Sequence, residues 1–253
     1  MPVSSVQFAQ NPWHYANGLR ISNNATTPNT KIDVAVGSIM DSSGNYQLNS
    51  DSVLTINAAS NGLNGLDTGS FAASKVYAVY LIADPVTQQD MGAMISLASN
   101  SAPLMPFGYS AYALIGYAVS DSSVHFLAGY WTAGNSSRRS FAFDAPQATA
   151  VTAGNATSYT AVSLAAWVPP VENLPVSIAY AFTPGAASRV LNLTPGNATG
   201  DAVTVTGQVT SVVISENATV FSKVTSAVPE IDYKVTNSGD AVALNVAGYD
   251  FFI

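Results

Sequence analysis

Ile231-Asp232-Tyr233-Lys234-Val235-Thr236-Asn237-Ser238-Gly239-Asp240-Ala241-Val242-Ala243-Leu244-Asn245-Val246 is the stretch whose reading decides the fold. Ile231, Tyr233 and Val235 alternate with Asp232 and Lys234, the period-two pattern of a strand with one buried face. Asn237-Ser238-Gly239-Asp240 then supplies turn chemistry. Val242, Leu244 and Val246 alternate again behind it. The pattern predicts an antiparallel hairpin, its register set by which alternate residues face a core. The run continues to Phe251-Phe252-Ile253, an apolar ending that predicts burial of these residues in a core or an interface, since free ends are normally polar.

The same signal extends upstream. Val176, Ile178, Tyr180 and Phe182 alternate with small residues and stop at Pro184-Gly185. Val203 and Val205, the runs Val209 to Ile214 and Thr219 to Val224, and the segment Tyr159 to Ala166 bring the second half to about eight short strands. That number and spacing suit an antiparallel β-sandwich of jelly-roll type. The first half is β as well: Lys31 to Val36, Val53 to Ala58, Val76 to Ala83, Ala111 to Val119, Val124 to Tyr130 and Arg138 to Asp144 are predicted strands, with a tight turn at Asp121-Ser122-Ser123. Pro85 to Ser99 is the best place for a short helix, weakened by Gly92. Pro103 and Pro106 keep Leu104-Met105 extended. The fold class is therefore all-β, with two β-rich domains. A strand ending at Asp144-Ala145-Pro146-Gln147 sets the boundary: an N-terminal arm over 1–30, a first β-domain over 31–145, and a C-terminal sandwich over 146–253.

Composition narrows the function. The chain has 253 residues, of which 48% are hydrophobic and only 9% charged; Lys+Arg 8 against Asp+Glu 15 leaves a net charge of -7. A nucleic-acid binder needs a basic patch, and an anionic lipid surface attracts basic segments, so neither partner is expected. Residues 1–14 have neither a basic nor an apolar leader region, and no uninterrupted apolar span suggests membrane insertion. With no cysteine, disulfides, thiolate nucleophiles and cysteine-held metals are excluded. A surface this poor in Lys and Glu favours assembly over a monomer, because charge-free interfaces avoid desolvation of buried ions.

Residues for chemistry are scarce. His14 and His125 are the two histidines; neither lies in a metal-binding pattern, and His125 falls in a predicted strand. No Gly-x-Ser-x-Gly elbow and no phosphate loop occurs. Asp41, Asp67, Asp84, Asp121 and Asp240 sit in turn contexts that Asx turns explain, so no carboxylate pair for glycoside hydrolysis can be chosen. No enzyme activity, cofactor or metal is expected. Among aromatics, Trp13 and Tyr15 flank His14 in an irregular arm and are equally suited to anchoring in a neighbouring protein or to packing on the first domain. Tyr130-Trp131 is suited to a sugar-stacking rim or, better, to strand-end packing. The candidate interface residues are Trp13, Tyr15, Phe251, Phe252 and Ile253.

An ordered series in the first half resembles the N-terminal region of tail-fibre and related virion appendage proteins of tailed bacteriophages. It comprises Gly18-Leu19-Arg20-Ile21-Ser22-Asn23-Asn24, Thr27 to Val34, Asp41-Ser42-Ser43, Asn64 to Gly69, Tyr77-Ala78-Val79-Tyr80, Pro103 to Tyr109 and Ser123-Val124-His125-Phe126, and spans about residues 10 to 145. The resemblance implies a virion-bound structural module with no catalytic residues, located in the virion and in contact with other virion proteins of tail or capsid. By fold analogy the C-terminal sandwich is expected to self-associate as a homotrimer and to meet a host surface glycan. No collagen-like or coiled-coil shaft is present. A capsid decoration or cement protein and a carbohydrate-binding, host-receptor module are the alternatives.

Overall fold

The computed structural model describes residues 16–86, 91–100, 102–131, 138–196 and 202–252, and the backbone of Ser5–Phe8. Among them there is no helix, and the fold is all-β. The chain forms two compact units, one of 1–141 with 251–253 and one of 142–250.

The first unit opens with β1 (Ser5–Phe8), β2 (Ala16–Gly18), β3 (Ile21–Asn23), β4 (Lys31–Val34), β5 (Gly37–Met40), β6 (Tyr46–Ser50) and β7 (Leu54–Asn57). They make two small antiparallel sheets, β1-β6-β5-β2 and β3-β4-β7. β8 (Val76–Ala83), β9 (Met91–Leu97) and β10 (Ala111–Val119) form a third, ordered β10-β8-β9. Every residue of β8 is buried. A central strand covered on both faces needs no alternation, and its sequence is accordingly a continuous apolar run. β11 (Gly129–Trp131) and the start of β12 (Arg138–Ala148) complete the unit.

The second unit contains the rest of β12, then β13 (Thr160–Ser163), β14 (Pro175–Thr183), β15 (Arg189–Pro195), β16 (Val203–Gly207), β17 (Ile214–Phe221), β18 (Lys223–Thr225), β19 (Val228–Val235) and most of β20 (Ala241–Phe252). Its two sheets run β12-β20-β14-β17 and β13-β19-β15-β16, with the short β18 beside β19. Leaving β18 aside, each sheet takes strands in the order first, eighth, third, sixth and second, seventh, fourth, fifth. This double Greek key is a jelly roll, as the sequence reading expected. Val176, Ile178, Tyr180 and Phe182 of β14 and Val242, Leu244 and Val246 of β20 are buried in its core, as are Leu191 and Leu193 of β15 and Ile231, Tyr233 and Val235 of β19.

Several expectations are corrected. The segment Ile231 to Val246 is two strands but no hairpin. β19 pairs with β13, β15 and β18, whereas β20 pairs with β14 in the other sheet. Alternation fixes which face a strand buries and leaves its partner open; here the turn carries the chain across the sandwich. The helix expected within Pro85 to Ser99 is replaced over Met91–Leu97 by β9. At Gly92 a Cβ would run into the Leu63 side chain, so this strand packs closely against the β7–β8 loop. His125 lies in a turn, not a strand, and β11 starts only at Gly129. Residues 209–213 are irregular, and the strand begins at Ile214. The arm expected over 1–30 contributes β2 and β3 to sheets, and the chain leaves the first unit after Phe141, then rejoins it at Phe251.

That return depends on a bulge. The β14–β20 register shifts between Ser177 and Ile178, which face Gly248 and Val246. Ala247 is the extra residue, and an extra residue exchanges the two faces of all that follows. Burial accordingly passes from Val242, Leu244 and Val246 to Tyr249 and Phe251.

Candidate functional site

The turn aspartates are fully employed in holding backbone. Asp41 Oδ1 accepts from the N–H groups of Asn45 at 2.9 Å and Tyr46 at 2.8 Å, and its Oδ2 from Ser43 Oγ at 2.6 Å. Asp67 accepts from the N–H of Thr68, the N–H of Leu104 and the Ser96 hydroxyl. Asp84 accepts from the Val86 N–H, and Asp121 from the N–H groups of Ser123 and His125. Asp240, buried between two loops of the jelly roll, accepts from Gly185 N–H at 2.8 Å and Asn237 N–H at 3.0 Å. His125 Nδ1 lies 3.9 Å from Asp121 Oδ2. Among the described residues no group of three or more His, Asp or Glu side chains could hold a metal ion, and no helix is long and apolar enough to cross a membrane.

The buried cation is also structural. Arg139 donates from Nη1 to the Leu19 carbonyl at 3.1 Å and from Nη2 to the Gly18 carbonyl at 3.0 Å. Both acceptor residues are left-handed, with φ 66° at Gly18 and 56° at Leu19. The fork of the guanidinium spans the two adjacent carbonyls, and burial lowers its pKa.

Of the candidate interface residues, Phe251 is internal. Its ring meets Tyr117 at 5.2 Å and Trp131 at 5.4 Å, both edge-on, and Trp131 meets Phe141 at 4.7 Å. This aromatic cluster places Phe251 in the first unit's core. Trp131 is buried with it, in the strand-end packing expected, whereas its neighbour Tyr130 is exposed with the Arg20 guanidinium 5.7 Å from its ring centroid. Phe252 is 66% exposed. Trp13, Tyr15 and Ile253 lie outside the described residues.

Some large apolar residues are exposed as well. In the first unit, Pro106-Phe107-Gly108-Tyr109 closes with Tyr109 N–H on the Pro106 carbonyl at 3.1 Å. Gly108 has φ 90°, the third position of a type II turn, which favours glycine. Phe107 occupies the corner and is fully exposed, with Leu104 exposed in the same loop. Ser110 N–H donates to the Ala83 carbonyl, so this loop and the one bearing exposed Val86 share one end of the β10-β8-β9 sheet. In the jelly roll, Val209, Val212, Val213 and Phe221 are exposed on and before β17. These contact surfaces are the candidate functional features; sequence reading noted the Pro103–Pro106 constraint but missed Phe107, whose signal is a large apolar residue immediately before a turn glycine.

No protein-family model and no curated protein sequence matches this chain. Among solved structures, the chain is similar to one in the structure of infectious bursal disease virus Gx strain, at 12% identity over 98% of this chain and 70% of that one, with a TM-score of 0.25. It is similar also to VP2 of the infectious bursal disease virus subviral particle, at 11% identity over 99% and 72%, again with a TM-score of 0.25. A TM-score that low carries no conclusion about fold or function.

Two shallow grooves complete the first unit's surface. One of about 470 Å³ is bordered by Thr30, Asn61, Phe71 and Val124. The other, about 410 Å³, is bordered by Arg20, Asp33 and Val53. In the second, Asp33 is bonded to Asn24 and Thr55.

Proposed function

We propose that this protein is a structural subunit of a virus particle, acting by assembly and not by catalysis. The observation that carries the reading is the jelly-roll order of the second unit, an architecture used by viral capsid and lectin domains. Between those two uses, the burial of Trp131 favours the particle. A chain with 9% charged residues suits a surface largely covered by neighbours, since each ion removed from water in an interface carries a desolvation cost. The resemblance of residues 10 to 145 to tail-fibre and appendage proteins supports a tailed-phage particle, with the chain as an appendage subunit in contact with other virion proteins.

The test is peptide mass spectrometry of gradient-purified particles from cells in which the protein is made. The expected result is recovery of this chain with the particle peak, in constant ratio to the major shell protein across the gradient. A chain confined to the soluble fractions would overturn the assignment.

A further inference from the structure

We infer that β17 is a self-pairing edge, at which two copies of the chain join antiparallel strands across a two-fold axis at Asn217. β17 ends its sheet: it pairs with β14 on one side, and among the described residues no backbone pairs with its other side. An edge strand exposes a row of unpaired N–H and C=O groups, and proteins guard such edges with short strands, lysine, proline or bulges. The other sheet follows that rule, with edges of four residues at β13 and five at β16. β17 follows it only in part: it runs eight residues, Ile-Ser-Glu-Asn-Ala-Thr-Val-Phe, in unbroken register with β14, without Lys, Pro or a bulge, and Glu216 is its one charged guard.

The sequence of this edge is complementary to itself. In an antiparallel pair related by a two-fold axis normal to the sheet, the residue on the axis meets its own copy, and all partners share a face. With Asn217 on the axis, Ser215 faces Thr219, and Phe221 lies opposite Val213, the residue just before the start of β17. Phe221 is 48% exposed and Val213 is 55% exposed; pairing covers each with the other, twice. Hydroxyl pairs and aromatic–β-branched pairs are favourable cross-strand neighbours. Glu216 is the sole charge of the strand. It faces Ala218 here, so like charges do not oppose each other, and its carboxylate already accepts from the Tyr180 hydroxyl at 3.3 Å. Moving the axis to Ala218 would set Glu216 against Val220 and Phe221 against Ser215, losing both matches. The isologous occupant is therefore a second copy, in one register. This pairing goes beyond the particle assignment and does not depend on it.

The absence of cysteine from the chain makes the test direct. In full-length protein, Asn217→Cys places two thiols on the axis at a cross-strand separation that a disulfide spans. Under mild oxidation by oxidised glutathione, Asn217→Cys is expected to form covalent dimer at least tenfold faster than Thr204→Cys, an exposed site on β16. Asn217→Lys, which guards the edge, is expected to abolish concentration-dependent dimer in light scattering while leaving the urea midpoint unchanged. Equal cross-linking rates at 217 and 204, or a dimer that persists in Asn217→Lys, would overturn the inference.

Discussion

Removal of the Asp240 carboxylate tests the crossing turn between β19 and β20. Asp240 is 2% exposed. Its two oxygens accept from Gly185 N–H at 2.8 Å and Asn237 N–H at 3.0 Å, so one side chain ties the β14–β15 loop to the β19–β20 loop. Hydrogen bonds to a charged group contribute about 1.5–3 kcal/mol each, and a buried donor left unpaired costs a similar amount. Asn237 borders solvent and regains water when the carboxylate goes, so its bond counts near the lower limit. Asp240→Ala is therefore expected to destabilise the jelly roll by about 3 kcal/mol. Asp240→Asn keeps one acceptor and turns an amide donor toward the other N–H, and about half that loss follows. With a urea slope of about 2 kcal/mol/M, the alanine variant shifts the second unit's midpoint down by about 1.5 M and the asparagine variant by roughly half as much. Equilibrium urea titration by circular dichroism measures both. A shift below about 0.2 M for Asp240→Ala would refute the tie between the loops.

The remaining predictions concern pairing, the buried cation and pH. Ala181 and Ala243 are opposite each other on β14 and β20, so Ala181→Cys with Ala243→Cys is expected to cross-link within one chain, whereas Lys234→Cys with Ala243→Cys, neighbours in a β19–β20 hairpin, is expected not to; a gel-shift assay decides. Arg139→Ala, which removes two buried hydrogen bonds and leaves a cavity, is expected to cost the first unit about 3 kcal/mol. Arg139→Met retains the apolar stem and is expected to cost about half as much, both read by urea titration. Burial, with Tyr80 adding, pushes the Tyr117 phenol well above its usual 10.0, and burial also raises Tyr77 and Tyr80. A phenol whose folded pKa lies above its unfolded one stabilises fully below the unfolded value and loses that contribution as pH rises toward the folded one. Stability of the first unit is thus expected to be flat up to about pH 10 and to fall above it, and Tyr117→Phe to flatten that fall in alkaline thermal melts.

Much of the fold was legible because β-rich segments carried their own limits. Val76 to Ala83 and Ala111 to Val119 match β8 and β10 residue for residue, since β-branched and aromatic runs stop there at turn residues. The turn roles of Asp41, Asp67, Asp84, Asp121 and Asp240 were readable because a short carboxylate reaches its own neighbouring N–H groups. What failed was non-local. Nothing in Ile231 to Val246 distinguishes a hairpin from a crossing, because both need the same turn and the same alternation. Met91-Gly92-Ala93-Met94-Ile95 lacks alternation because both faces of β9 are covered, so no strand period marks it within the segment expected to be helical. β2, β3, β5 and β6 are three to five residues long and rich in Ser, Asn and Gly, too short for a period to register. Burial of Phe251 in a core or an interface was legible from the apolar ending, but the choice between them was not, because the bulge at Ala247 that turns the ring into the first unit's core cannot be seen in the sequence.

Phe251 also bears on the order of events during synthesis. The first unit holds residues on both sides of the second, and its Tyr117–Trp131–Phe141 cluster takes its fourth ring from a residue that leaves the ribosome only after the whole jelly roll. The first unit is thus completed only after the second has been made. A contact of such long separation along the chain closes slowly. Until it does, Trp131 lacks the edge-on ring that Phe251 supplies.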